Sequence, residues 1–159
     1  MAVPGVRVAD PSYNAAQTVA LIRQAAERKA AVVLFPELGL SAYSCEDVFH
    51  QRALLDASLE ALRAVLAASA HLSIAAVVGL PLQVGHRLYN CAAVVHRGRL
   101  LGVVPKIFLP NYREFYEARQ FTSGETASCA CSCRAHRLAC AVVPAGYRRR
   151  EPVHARGHR

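Results

Sequence analysis

The 159-residue chain is poor in lysine: Lys29 and Lys106 are the only two among nineteen basic residues, and the rest are arginines. Long apolar runs are missing, so no segment is expected to cross a bilayer. No internal repeat is visible, which argues against solenoid and propeller architectures. A glycine-rich phosphate loop is also missing, so nucleotide binding is not expected of this chain. No secretory signal opens it. Its six cysteines are therefore expected as thiols in a reducing, cytoplasmic compartment rather than as disulfides. His50, His86 and His96 are scattered without ligand spacing and read as surface or satisfied groups.

Eleven acids stand against the nineteen basic residues, for a net charge of +8. After Phe121 there are seven basic residues and two acids, so most of that charge belongs to the carboxyl end. The basic balance thus says little about the folded part. Residues 125–159 form a divergent Cys- and Arg-rich tail, and three readings of it stay open. It is an altered reading frame or chimeric end, a natural disordered basic tail, or a zinc site built from Cys129, Cys131, Cys133, His136 and Cys140. The Cys-x-Cys-x-Cys spacing suits a tetrahedral site poorly. A basic tail also allows a non-catalytic nucleic-acid-binding module, whose affinity would fall steeply with salt.

Residues 1–124 read as one α/β domain long enough to bury a core. Ser12 or Asn14 is placed to cap a helix reaching about Lys29, with Val19, Ile22 and Ala26 on one face. Ala31 to Phe35 is a short buried strand. A second helix is expected over about His50 to Ala70. Its Leu54, Leu55, Leu59, Leu62 and Leu66 recur at helical spacing and read as a plain core stripe. His71 would then suit the end of that helix dipole. Ile74 to Gly79 is continuously apolar, fit for a strand buried on both faces. Gly85 turns the chain, and strands over Arg87–His96 and Leu100–Val104 join through Arg97-Gly98-Arg99 as a tight hairpin. Cys91 lies within the first of these strands and reads as a buried small hydrophobe.

Two strands deliver a charged residue at their carboxyl ends. Val103-Val104-Pro105 leads into Lys106, and Val33-Leu34-Phe35-Pro36 leads into Glu37. Ligands of open α/β sheets collect there. A partly desolvated carboxylate serves as a general base, and an ammonium faces developing negative charge. A solvated lysine and an ordinary loop carboxylate would show the same spacing, so residue type alone leaves both readings open.

The motifs around those residues carry a resemblance. Phe35-Pro36-Glu37-Leu38, Val104-Pro105-Lys106 and Asn111-Tyr112-Arg113-Glu114-Phe115-Tyr116-Glu117 resemble the nitrilase superfamily of carbon–nitrogen hydrolases. Leu40 to Phe49, Arg87-Leu88-Tyr89-Asn90-Cys91-Ala92 and Arg97 to Lys106 are similar to one branch of it, the amino-terminal glutaminase domain of glutamine-dependent NAD synthetases. The resemblance runs from about Val6 to Gly124. It implies a partial α-β-β-α sandwich. It also implies that Glu37 is the general base, that Lys106 steadies the tetrahedral oxyanion, that Tyr43 and Tyr112 line a glutamine pocket, and that Glu117 is a second carboxylate near the site. Glu114 lies close enough in sequence to be confused with Glu117. In the full enzyme, ammonia released from glutamine would pass to a synthetase domain that uses ATP and Mg to amidate deamido-NAD. The complete protein would form homo-oligomers and would not be membrane-bound. A different nitrilase-like amidase is the remaining enzymatic alternative, and the Asn111 to Phe115 run argues against it.

The family's nucleophilic cysteine follows a strand some 50 residues beyond the lysine, in a Cys-Glu-Asp context, and no residue after Lys106 reads that way. Cys45-Glu46-Asp47 imitates the motif from the wrong part of the chain. The chain is thus expected to be an internal piece of a larger domain, inactive alone, with a sheet edge left open where an earlier strand would pair. No metal ligand and no cofactor is expected within it.

Overall fold

The computed structural model describes residues 1–126, together with the backbone of Ser132–Cys133 and Leu138–Ala139. The readings made of the carboxyl end lie outside the described residues: altered frame, disordered tail, nucleic-acid contact, and zinc at Cys129, Cys131, Cys133, His136 and Cys140.

Helix α1 spans Pro11–Glu27. Its cap is Asp10, whose carboxylate accepts the Tyr13 N–H at 3.0 Å, and Pro11 opens the first turn. The expected cap at Ser12 or Asn14 is corrected by this. Asn14 points inward and is fully buried. Its Nδ2 donates to the carbonyls of Arg7 and Leu40, and its Oδ1 accepts the Arg7 N–H at 2.7 Å. It ties the leading segment and the loop after β1 to the helix. Ile22 is buried, and Val19 and Ala26 pack at the margin of the same core.

Strand β1 is Val32–Leu34, and a 3₁₀ turn over Glu46–His50 leads into α2, Arg52–Ala68. The leucine stripe behaves as expected: Leu54, Leu55, Leu62 and Leu66 are buried, and Leu59 packs beside them. His71 falls beyond α2 in an exposed turn, so it does not complement that helix's last turn.

Strand β2, Ala75–Val84, runs five residues past the expected end at Gly79. Its Leu80 and Leu82 continue the alternation onto the core, which carries the strand through Pro81. Gly85, with φ 60°, turns the chain into β3, Arg87–His96. Arg97 at φ 49° and Gly98 at φ 71° then form the two-residue turn into β4, Arg99–Pro105. The sheet order is β1-β2-β3-β4, with β1 and β2 parallel and the remaining pairs antiparallel. A short helix, α3, covers Glu117–Gln120. Strands β5 (Ser132–Cys133) and β6 (Leu138–Ala139) pair with each other.

Helices α1 and α2 cover one face of the sheet, where Val33, Ala76, Val78, Ala93, Val95 and Val103 meet them. Val32, Leu34 and Val104 alternate onto the opposite face and are exposed. One helical layer on one sheet is half of the α-β-β-α sandwich. A second cluster of Leu38, Cys45, Phe49, Leu54, Leu55, Leu88 and Phe121 holds the loop after β1 against α2 and the segment after β4. No helix among the described residues is long and apolar enough to cross a membrane.

Candidate active site

Glu37 sits on a tight loop directly after β1. Phe35 still pairs with β2 through its N–H to the Val77 carbonyl at 3.0 Å. The chain then turns at Leu38, whose φ is 50°, and Leu40 returns a hydrogen bond to the Gly79 carbonyl. Gly79 is what allows this approach. A Cβ there would stand 2.3 Å from the Leu38 nitrogen and 2.9 Å from the Pro36 carbonyl oxygen.

Lys106 follows β4. Its N–H donates to the Asn90 carbonyl at 2.8 Å, and its own carbonyl accepts the Gly124 N–H at 2.8 Å. Its Nζ reaches across the sheet to Glu37 Oε1 at 2.7 Å and to Glu117 Oε1 at 2.9 Å. Glu117 opens α3 and is 4% exposed. Tyr43 donates its hydroxyl to the same Glu117 oxygen at 2.7 Å. The other oxygen, Oε2, is buried without a hydrogen-bond partner. Glu114 is exposed and stands apart from this contact, so the two glutamates are distinguished by burial.

Glu37, Lys106, Glu117 and Tyr43 are therefore in direct contact. Tyr112 is joined more loosely. It is exposed, and it meets Phe115 edge-on at 5.9 Å, while Phe115 meets Tyr43 edge-on at 6.4 Å. An open cleft of about 300 Å³ runs along the sheet from Leu34 and Glu37 past Gly79 and Asn90 to Val104 and Lys106.

Partial burial pulls the Lys106 pKa down, but its hydrogen bonds to Glu37 and Glu117 and their charges outweigh this, and the net shift is upward. The ammonium is thus held charged. Burial pushes the Tyr43 phenol well above its usual range, reinforced by the bond to Glu117 and by the charges of Glu117, Glu37 and Glu46. Tyr43 is consequently a donor and not a phenolate.

Cys45 and Cys91 are both buried. The Cys45 Sγ lies within hydrogen-bond reach of the Ser41 and Ala42 carbonyls, and burial pushes its thiol up despite an opposing backbone hydrogen bond. Cys91 packs in the cluster on the helix-facing side of the sheet. Among the described residues, no group of three or more His, Cys, Asp or Glu side chains is arranged to hold a metal ion.

Sequence reasoning left two contributors without a role at the site. Asn90 contacts both Glu37 and the backbone of Lys106. Phe115 bridges the two tyrosines. A polar residue interrupting the apolar run of β3 was the available signal for Asn90.

A glutamate and a lysine delivered by two strand ends thus meet a buried second carboxylate at one rim of an α/β sheet. The chain belongs to the carbon–nitrogen hydrolase family, which matches residues 2–143. Its relatives narrow that class. The chain is 51% identical over 118 residues to the glutamine-dependent NAD(+) synthetase of Mycobacterium tuberculosis, covering 74% of this chain and 17% of that protein. It is 37% identical over 118 residues to the enzyme of the same name from Aquifex aeolicus, covering 74% of this chain and 20% of that one. The crystal structure of a glutamine-dependent NAD(+) synthetase from Cytophaga hutchinsonii matches with a TM-score of 0.72 at 27% identity, over 76% of this chain and 20% of that one. The chain thus spans at most a fifth of the length of these curated relatives.

Proposed function

We propose that this stretch is part of the glutaminase domain of a glutamine-dependent NAD synthetase. The observation that carries this reading is the contact of Glu37 and Lys106, at the ends of two strands, with Glu117 of α3. In the reaction, Glu37 takes the proton of a cysteine thiol as the sulfur attacks the carboxamide carbon of glutamine. Lys106 faces the oxyanion that forms on that carbon. The proton then passes from Glu37 to the departing ammonia, and water hydrolyses the thioester to glutamate. Tyr43, Tyr112 and Glu117 line the glutamine pocket.

Neither Cys45 nor Cys91 serves as that nucleophile in this proposal. Cys45 is buried with its thiol engaged, and Cys91 packs on the far side of the sheet from Lys106. No residue after Lys106 stands in the family's Cys-Glu-Asp context either, and in this proposal the 159-residue chain is inactive by itself. In the whole protein, ammonia goes to a synthetase domain. ATP and Mg act there, in a cytoplasmic homo-oligomer.

The test is an exchange of the 118 matched residues of the M. tuberculosis relative for those of this chain. The chimera should make NAD from glutamine. Glu37→Gln and Lys106→Met should each lower that rate by about 100-fold or more, while synthesis from free ammonia is unchanged. A chimera that uses ammonia but never glutamine refutes the reading. Covalent trapping of the unmodified 159-residue chain by a glutamine-like electrophile would overturn its inactivity.

A further inference from the structure

Asn90 is 3% exposed, and it lies on β3 opposite Pro81 of β2 and beside β4. A buried amide among apolar neighbours is costly unless its polar atoms are engaged. Its Nδ2 donates to Glu37 Oε1, and its backbone carbonyl accepts the Lys106 N–H. One residue thereby holds the carboxylate that follows β1 and the backbone of the lysine that follows β4. Lys106 Nζ donates to the same Oε1 at 2.7 Å. With two donors on one oxygen, Glu37 Oε2 accepts no hydrogen bond from the described residues.

We propose that Asn90 is a positioning residue for the base: with Lys106 it saturates Oε1 of Glu37 and leaves Oε2 to receive the proton of the nucleophile. The proposal rests on the reading of Glu37 as the general base. The proton moves from sulfur to Oε2 and then from Oε2 to the departing ammonia, so the carboxylate is regenerated. A neutral amide suits this role. It fixes the orientation of the carboxylate without adding a second positive charge beside Lys106, which would weaken the base. Leu or Ala at position 90 would leave the carboxylate held from one side only.

The test is NMR at neutral pH of the full 159-residue chain carrying labelled glutamate carboxyls and asparagine amides. The charged groups around Glu37 are Lys106 and Glu117, with the Tyr43 hydroxyl beyond them. A coupling across the hydrogen bond should join the Asn90 side-chain amide to the Glu37 carboxyl carbon, and the Asn90 amide signal should shift in Glu37→Gln. In Asn90→Leu that coupling should vanish and the Glu37 carboxyl signal should move, because one of the two donors to Oε1 is lost. An Asn90 amide with no coupling to Glu37 overturns the proposal, and so does an unmoved Glu37 carboxyl signal in folded Asn90→Leu. If that variant does not fold, the unmodified chain and Glu37→Gln decide the matter. No turnover enters these signals, so their failure counts against Asn90 alone. Failure of Glu37 as the base would show in the chimera's turnover and leave the signals unchanged.

Discussion

Replacing Lys106 with methionine removes the one cation among the described residues in direct contact with both Glu37 and Glu117, while keeping the length of the apolar stem. The two carboxylates differ in what they lose. The Glu37 side chain is 41% exposed, and water takes over much of the lost ion pair. Glu117 is 4% exposed, and its Oε2 already lacks a partner. Without Lys106 it keeps the Tyr43 hydroxyl and has no counter-ion among the described residues. Removing one partner of a buried pair costs about 3–5 kcal/mol. Lys106 itself is 29% exposed, so part of the pair is hydrated, and about 2 kcal/mol is the expected loss. For a domain of this size that lowers the melting temperature by about 6–10 °C. Urea denaturation at neutral pH and calorimetry on the full chain measure it. Adding Glu117→Gln to Lys106→Met should restore about 1–2 kcal/mol, because the stranded charge is gone. A Lys106→Met chain within about 0.5 kcal/mol of the parent, with no recovery in the double variant, refutes the argument that a buried carboxylate depends on this lysine.

Three further outcomes follow from the same contacts. Lys106 and Tyr43 both bind their protons more tightly when folded, so their contribution is complete below about pH 10 and is lost as pH rises through their raised folded values. The urea midpoint should therefore fall on the alkaline side of that range, and a Lys106→Met, Tyr43→Phe double variant should show a flatter decline. Gly79→Ala should destabilise the chain by about 1–3 kcal/mol and displace the loop bearing Glu37, since its Cβ meets the Leu38 backbone; a crystal structure of the variant with that loop unmoved would contradict this. Asn14→Ala should cost about 1–3 kcal/mol in chemical denaturation, because one buried and two partly buried backbone groups lose their partner, and a loss below about 0.5 kcal/mol would restore Asn14 to the status of a replaceable surface cap.

The departures between sequence and structure have separate physical causes. Local chemistry identified the helices and the hairpin, because apolar spacing and turn residues act over a few positions. It misjudged the cap of α1, since Asp10 and Asn14 both have side chains able to cap and only packing shows which one faces the core. It ended β2 too early, because an apolar run alone does not show how far a strand stays paired with its neighbour. In the sheet, Gly79 makes room for the Glu37 loop, and Leu80 and Leu82 keep to the core.

The sequence by itself determined which residues stand at the ends of β1 and β4, because a strand's end and the residue that follows it are matters of local order. It also carried the motifs of the family, and with them the choice of Glu37, Lys106 and Glu117. Tertiary structure alone decided that these groups touch. Lys106 meets Glu37 across 69 residues of chain, Tyr43 meets Glu117 across 74, and Asn90 meets Glu37 across 53. Such contacts depend on strand order and register, which place β3 beside β4 and bring both strand ends to one rim of the sheet. Burial was decided there too. Glu114 and Glu117 are the same residue type three positions apart, and only the packing of α3 makes one a solvated side chain and the other a buried partner of Lys106.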